Sequence, residues 1–161
     1  VGFRQATAEQ TGLADQSVDL VTCFQSFHWF EPDATLEEFQ RILKPSGRIA
    51  LVWNTRDLSG DVFTQAYGEV IDQVSNQHPS LNRAEAYPES SPSFEEFRFA
   101  SEQALDLPGL VGYSKSRSYV PTEGEMLDRL LQSLEALYYC YADDQGWVYM
   151  KYQTKVFIAG A

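Results

Sequence analysis

The chain has 161 residues, enough for one compact domain and too few for two of ordinary size. Hydrophobic residues make up 43% and aromatic residues 14%, a composition that supports a buried core and excludes a disordered or fibrous chain. Because 23 acidic residues face only 12 Lys and Arg, the formal net charge is −11, which argues against a nucleic-acid partner.

The N-terminal third predicts a strand–helix–strand unit. Residues 1–6 and 18–24 have the composition of short strands, and Pro32 opens an amphipathic helix. The helix should end before the Lys-Pro-Ser-Gly sequence at 44–47, where proline stops a helix and glycine permits a turn. Residues 48–53 then form a second apolar strand. Short connections between these elements predict parallel strands in a sheet covered by helices on both faces.

The rest of the chain alternates helices and strands, without an internal repeat or a long dividing linker. A loop or lid is expected over residues 77–93, which are rich in Pro, Ser, Asn and Glu. The capping-box pattern Thr122-x-x-Glu125 precedes a long amphipathic helix that ends near Tyr141. Periodicity predicts four further elements: helices over 62–74 and 107–113, and strands over 97–105 and 148–158.

Several patterns carry no predicted chemistry. Cys23 and Cys140 lie in apolar segments far apart, so buried free thiols in the cytoplasm are favoured over a disulfide. The two histidines lack partners at metal-ligand spacing, so we expect no metal site. Glu37 and Glu38 are interpreted as part of a solvated helix face. The sequence has no run of about 18 apolar residues, and we expect no membrane span.

Chemistry is expected where the two parallel strands end, because ligands of open parallel sheets bind beyond the carboxyl ends of the strands. The first strand leads into Phe-Gln-Ser-Phe-His-Trp-Phe at residues 24–30, and the second into Trp-Asn-Thr-Arg-Asp at 53–57. Aromatic faces attract a cation by roughly 0.5–2 kcal/mol, so this edge suits a ligand with an apolar body and a positive centre. Three simpler interpretations remain open: the aromatic residues close the core, His28 is structural, and Arg56 pairs with Asp57 on the surface.

Five motifs occur in order over residues 1–54. They are Ala-Thr-Ala-Glu at 6–9, Leu-Ala-Asp-Gln-Ser-Val-Asp-Leu-Val at 13–21, Gln-Ser-Phe-His-Trp-Phe at 25–30, Phe-Gln-Arg-Ile-Leu-Lys-Pro-Ser-Gly-Arg at 39–48 and Leu-Val-Trp-Asn at 51–54. Together they resemble the middle of the UbiE-like class I S-adenosylmethionine-dependent methyltransferases. Beyond residue 57 the resemblance is mainly one of element order.

The resemblance implies an α/β fold, a partial doubly wound Rossmann-like sheet in the family order 3-2-1-4-5-7-6 with strand seven antiparallel. Residues 1–5 would be the tail of strand three, followed by strands four to seven at 18–24, 48–53, 97–105 and 148–158. Residues 1–161 would then form a single truncated domain. The Gly-rich cofactor-binding βαβ segment of the family would precede residue 1, and no G-x-G-x-x-G occurs in the sequence.

The resemblance also implies a cofactor, S-adenosylmethionine. Thr7 and Ala8 would lie against its adenine, and Phe24, Gln25 and Ser26 near its methionine part. Thr7 replaces an aspartate common in the family, which removes one hydrogen-bond acceptor. Without the Gly-rich loop, we expect this chain alone to bind the cofactor weakly or not at all and to be inactive.

In the intact domain the implied reaction is methyl transfer to a small-molecule acceptor. His28 is the candidate for removing a proton from an oxygen or nitrogen nucleophile. Trp29, Asn54 and Arg56 are candidates for the acceptor pocket, together with the segment before Phe94. Because strand one would be absent beside strand four, we also expect a homo-oligomer that forms through the exposed strand-four edge.

Two alternatives to methyl transfer remain. One is a non-catalytic methyltransferase-like fragment that acts, if at all, through protein association. The other is a different enzyme on a doubly wound fold, such as a nicotinamide reductase, which the order of the five motifs disfavours.

Overall fold

A computed structural model describes residues 2–75 and 93–160. The loop expected over 77–93 therefore lies almost entirely outside the described residues. From residue 18 onwards the predicted order of the other elements is confirmed. The strands are β1 Val18–Phe24, β2 Leu43–Arg56, β3 Glu95–Leu105 and β4 Val148–Gly160, and the helices are α1 Pro32–Ile42, α2 Val62–Ser75, α3 Leu107–Lys115 and α4 Glu125–Tyr141.

The four strands form one sheet in the order β1-β2-β4-β3. β1 pairs with β2 in parallel, with Phe24 opposite Val52, which confirms the predicted unit. In β4 the residue numbers fall as those of β2 rise: Thr154 contacts Asn54, and the Lys151 carbonyl accepts from the backbone N–H of Asp57 just after β2. The order and the antiparallel β4 match strands 4-5-7-6 of the expected sheet.

Two details at the N-terminal end differ from the expectation. Residues 2–6 are not in a strand, so the predicted tail of strand three is wrong over these residues. A strand requires a partner, and in the described sheet β1 pairs only with β2. β2 begins at Leu43 rather than Arg48, because Leu43 already pairs with Val18 and residues 44–47 bulge out opposite Asp19.

The predicted capping box before α4 is also wrong. Gly124, with φ of 85°, occupies the N-cap position, and no side chain caps this helix. Glycine adopts this conformation without the steric cost that a side chain would impose. The cap that does form belongs to α3, where the Asp106 carboxylate accepts from the backbone N–H of Gly109 at 2.8 Å.

The chain divides into two compact units. Of the described residues, the first unit holds 2–54, 93–99 and 154–160, and the second holds 55–75 and 100–153. The first core includes Phe27, Phe39, Ile49, Leu51 and Trp53. The second includes Tyr67, Ile71, Leu130, Leu134 and Met150. No helix in the described ranges is both long enough and apolar enough to cross a membrane.

Candidate functional site

The loop after β1 is a sharp turn held by one buried ring. Gln25 has a φ of 50°, in the left-handed region, so the chain changes direction as β1 ends. The backbone N–H of Trp29 donates to the Ser26 carbonyl at 3.0 Å and closes a single 3-10 turn. Phe27 is buried in the first core and meets Phe30 edge to face. This packing fixes the turn that carries Ser26, His28 and Trp29.

The ends of β1 and β2 meet as predicted. The backbone N–H of Gln25 donates to the Val52 carbonyl at 2.9 Å, and the Gln25 side chain donates to the Asn54 carbonyl at 2.8 Å. The Asn54 amide oxygen accepts from the Thr154 hydroxyl at 3.0 Å. Gln25 and Asn54 therefore lie side by side at the carboxyl edge of the parallel pair.

A cleft of about 720 Å³ lies beside β1 in the first unit. Three of the five predicted cofactor residues line it, namely Thr7, Ala8 and Ser26. Phe24 and Gln25 are not among its lining residues. The cleft thus brings together residues that are far apart in sequence and that the resemblance assigned to one ligand.

The apolar walls of the cleft come from β1 and its neighbours. Val21, Cys23, Phe30 and Phe39 contribute apolar surface. Thr11 also lines the cleft and contributes a hydroxyl group, and the sequence interpretation missed it. The sequence signal for Thr11 is weak: only the following Gly12, with φ of 67°, marks the turn that places it there.

A buried carboxylate fixes Thr11. Glu38 is only 8% exposed, so the interpretation of Glu38 as a solvated residue is wrong. One Glu38 oxygen accepts from the backbone N–H and the hydroxyl of Thr11 at 2.8 and 2.6 Å. Arg41 donates to the same carboxylate at 2.7 and 2.9 Å, and also to the Leu13 carbonyl and to Asp15. Hydrogen bonds from Arg41 and then Thr11 lower the pKa of Glu38 to about 2.

A second contact holds the same N-terminal segment at the start of α1. The Glu9 carboxylate accepts from the backbone N–H of Glu31, the N-cap residue of α1, at 3.0 Å. This backbone hydrogen bond lowers the pKa of Glu9. Glu9 is therefore held at the start of α1, and Thr11, which lines the cleft, is held by Glu38 within the same helix.

The aromatic residues of the loop divide into two groups. Phe27 and Phe30 pack with the core, as the simpler interpretation expected. Phe24 and Trp29 are 65% and 56% exposed, so for these two the core interpretation is wrong. The His28 ring lies 5.0 Å from the Trp29 ring, centroid to centroid. The half-buried His28 and the exposed Trp29 thus form a small aromatic surface on the turn.

Arg56 belongs to the second unit. Its guanidinium carbon lies 5.2 Å from the centroid of the Tyr67 ring. The simpler interpretation, a surface pair of Arg56 with Asp57, is wrong: no ion pair joins the two, and Asp57 accepts from the backbone N–H and hydroxyl of Ser59 at 3.1 and 2.7 Å. Arg56 is not among the residues that line the cleft.

Both cysteines are free thiols, as favoured from the sequence. Cys23 is buried, and burial raises the pKa of its thiol. The expectation that Cys140 is also buried is wrong: it lies on the exposed face of α4. Over residues 2–75 and 93–160, no group of three His, Cys, Asp or Glu side chains is arranged to hold a metal ion.

Comparison with known proteins bears on both sequence and fold. Residues 1–51 match the sequence profile of a family described as a methyltransferase domain. An uncharacterised methyltransferase of Mycobacterium tuberculosis is 34% identical over 133 residues, 80% of this chain and 53% of that protein. A methyltransferase-like protein of Schizosaccharomyces pombe is 51% identical over 57 residues, 35% of this chain and 22% of that protein. The chain thus spans about half, or less, of the length of these curated relatives.

A solved structure from Anaeromyxobacter dehalogenans, described provisionally as a type II methyltransferase, shares the fold. Its TM-score is 0.61 at 21% identity, and the match covers 96% of this chain and 69% of that one. At this identity the likeness concerns the fold alone. It agrees with the partial Rossmann-like sheet expected from the sequence.

Proposed function

We propose that the protein, whose residues 1–51 match the profile of a methyltransferase-domain family, transfers a methyl group from S-adenosylmethionine to a small-molecule acceptor. The observation that carries the proposal is the cleft beside β1, lined by Thr7, Ala8 and Ser26. These residues are the ones that the sequence resemblance assigns to the adenine and methionine parts of the cofactor.

The cleft suits such a cofactor in size and in chemistry. A volume of about 720 Å³ falls within the range of small-molecule sites. Thr7 and Ser26 supply hydroxyl groups, and Val21, Phe30 and Phe39 supply apolar walls for a flat ring. Thr7 and Ala8 would hold the adenine, and Ser26 the methionine part. When bound, S-adenosylmethionine supplies an electrophilic methyl group on a positively charged sulfur.

The residues of the turn after β1 would contact the methyl acceptor. Alignment of a nucleophile with the methyl group, with water excluded, provides much of the rate in displacements of this kind. His28, which is half-buried beside Trp29, would take a proton from an oxygen or nitrogen nucleophile. Trp29 offers an exposed aromatic face, and Asn54 offers polar groups at the adjoining strand end.

The acceptor is proposed to be a small molecule, since a net charge of −11 disfavours a nucleic acid. The free thiols at Cys23 and Cys140 support the proposal that the protein acts in the reducing cytoplasm. The family relationship favours methyl transfer over a purely non-catalytic role.

Self-association through β1 is the second part of the proposal. In the described sheet β1 is an edge strand, paired with β2 on one side. Leu20 and Phe24 in this strand are 55% and 65% exposed. An exposed apolar edge strand readily pairs with another chain, so two copies related by a two-fold axis would continue the sheet.

A cleft-filling variant tests the methyl-transfer proposal. Ala8→Trp places a large ring in the proposed adenine position, so affinity for S-adenosylmethionine should fall by about tenfold or more, a loss of about 1.4 kcal/mol or more. Ala136→Trp on the exposed face of α4 is the matched control, expected to leave affinity unchanged. Calorimetric titration compares both folded variants with the wild type, at the high cofactor concentration that the weak binding expected of this chain alone requires. Equal affinity for S-adenosylmethionine in Ala8→Trp and Ala136→Trp would rule out the cleft as the cofactor site.

A further inference from the structure

Among the described residues of the second unit, two arginines pack against tyrosine rings and form no ion pair with an acidic side chain. We define this arginine–tyrosine cluster by its residues, which are Arg56, Tyr67, Tyr113, Arg117, Tyr119 and Tyr152.

Ring contacts link the two arginines. The Arg56 guanidinium carbon lies 5.2 Å from the Tyr67 ring centroid, and that of Arg117 lies 4.2 Å from the Tyr113 ring centroid. The Tyr67 and Tyr113 rings are themselves 5.9 Å apart, centroid to centroid. Arg117 also donates a hydrogen bond to the Tyr113 hydroxyl. The two guanidinium groups therefore pack against two neighbouring aromatic rings, one against each ring.

Neither arginine has an acidic partner within the described part of the chain. The ion pairs found there involve Arg41, Lys44, Arg98, Arg129 and Lys151. One nitrogen of each cluster arginine, Nη1 of Arg56 and Nε of Arg117, is buried and has no hydrogen-bond partner among the described residues. Burying such a group without a partner is costly, so the lack of a carboxylate partner for either arginine among the described residues is informative.

The tyrosines do not neutralise the arginines. Burial is the main cause that raises the pKa of Tyr67 to about 12 and also raises the pKa of Tyr152. Both hydroxyls are therefore uncharged at neutral pH. The Tyr67 hydroxyl is engaged with the Ser114 hydroxyl at 3.1 Å, and that of Tyr152 donates to Gln103 at 3.3 Å. Among the described residues, therefore, no tyrosine hydroxyl neutralises the positive charge of the two arginines.

We propose that the arginine–tyrosine cluster binds a small organic oxyanion, a carboxylate or a phosphate carried on a flat apolar body. A guanidinium group matches both oxyanions with paired hydrogen bonds, and tyrosine rings pack against a flat body. Arg56, Arg117 and Tyr113 are each half-buried, so a ligand can reach them.

Direct binding of model anions tests the site without the cofactor. Benzoate and phenyl phosphate are titrated calorimetrically into the protein, with benzamide as the uncharged molecule of similar shape. We expect one or both anions to bind at least about tenfold more tightly than benzamide. The preferred anion identifies the oxyanion as carboxylate or phosphate.

Variants locate the binding. Arg117→Gln and Arg56→Gln should each weaken anion binding by about tenfold or more, because each removes a charged donor. Arg129→Gln is the matched control: Arg129 is exposed on α4, where it pairs with Glu125. Its anion affinity should equal that of the wild type. Melting temperatures confirm that each variant is folded. Arg117→Lys, which keeps the positive charge, should retain part of the anion affinity.

The proposal is overturned if neither anion outbinds benzamide, or if Arg129→Gln weakens binding as much as the two cluster variants do. It stands if the anions bind and the cluster variants alone lose affinity. Anion binding in a protein that transfers no methyl group would refute the proposed function and leave the oxyanion site intact. The two proposals therefore fail separately.

Discussion

Replacing Glu38 tests how the cleft is held. Glu38→Ala removes a carboxylate that accepts four hydrogen bonds, two from Thr11 and two from Arg41. The side chain is 8% exposed, so water replaces these bonds poorly. Arg41 keeps its contacts with Leu13 and Asp15, whereas the Thr11 N–H loses its acceptor.

The expected loss follows from these partners. The two Thr11 bonds are partly buried and contribute about 1 kcal/mol each. The Arg41 pair adds about 0.5 kcal/mol, because its guanidinium is partly exposed and solvent screens the interaction. Glu38→Ala should therefore lower the free energy of unfolding by about 2–3 kcal/mol. For a chain of this size the melting temperature falls by about 5–10 °C.

The same contact predicts a pH dependence. The native pKa of Glu38 is about 2, below its ordinary value of 4.5. A depressed carboxylate pKa contributes stability that is complete above pH 4.5 and is lost as the pH falls towards 2. Wild type should therefore lose more stability over this range than Glu38→Gln, which has no carboxylate to protonate.

Urea unfolding at pH 7 and at pH 3 measures both effects. Glu37→Ala is the matched control, because Glu37 is the exposed neighbour on the same helix. Its loss should stay within about 0.5 kcal/mol. If Glu38→Ala and Glu37→Ala lose the same amount, or if wild type and Glu38→Gln respond alike to acid, the argument for an anchoring carboxylate is refuted.

Three further predictions concern the turn, the sheet edge and the thiols. His28→Ala should reduce turnover by about 100-fold or more with little change in melting temperature; lost stability with unchanged specific activity of the folded fraction would make His28 structural. Light scattering over a concentration series should show association in wild type and less in Leu20→Lys, since a charge on an edge strand opposes pairing; a wild-type monomer at every concentration would contradict this. Cys140 should react with a thiol reagent before Cys23, whose thiol is buried and has a raised pKa; equal rates would contradict the assigned burial.

Local patterns predicted the helices and strands because their signals lie within a few residues. The apolar spacing of α1 and the alternation in β4 need no knowledge of distant segments. Burial of Glu38 could not be found in this way, because it depends on Thr11, which lies 27 residues earlier and folds against α1. The start of α4 was misplaced for a related reason: Thr122 matched a capping pattern, and the backbone turned at Gly124 instead.

The candidate site was predicted in part. Thr7, Ala8 and Ser26 share a cleft, which follows from the ordered family motifs. Phe24 does not share it: its side chain is 65% exposed, whereas Cys23, the residue before it, is buried and lines the cleft. The contact of Arg56 with Tyr67 depends on which face α2 buries, a tertiary feature that sequence spacing alone does not fix.

Hydrogen–deuterium exchange with and without S-adenosylmethionine tests the central claim most directly. The cofactor should slow amide exchange in residues 7–13 and in the turn at residues 25–30, because these segments line or flank the cleft. Exchange in α4, which contributes no lining residue, should not change. Unchanged exchange in both cleft segments at a cofactor concentration that supports methyl transfer, or protection confined to α4, would contradict the assignment of the cleft as the cofactor site.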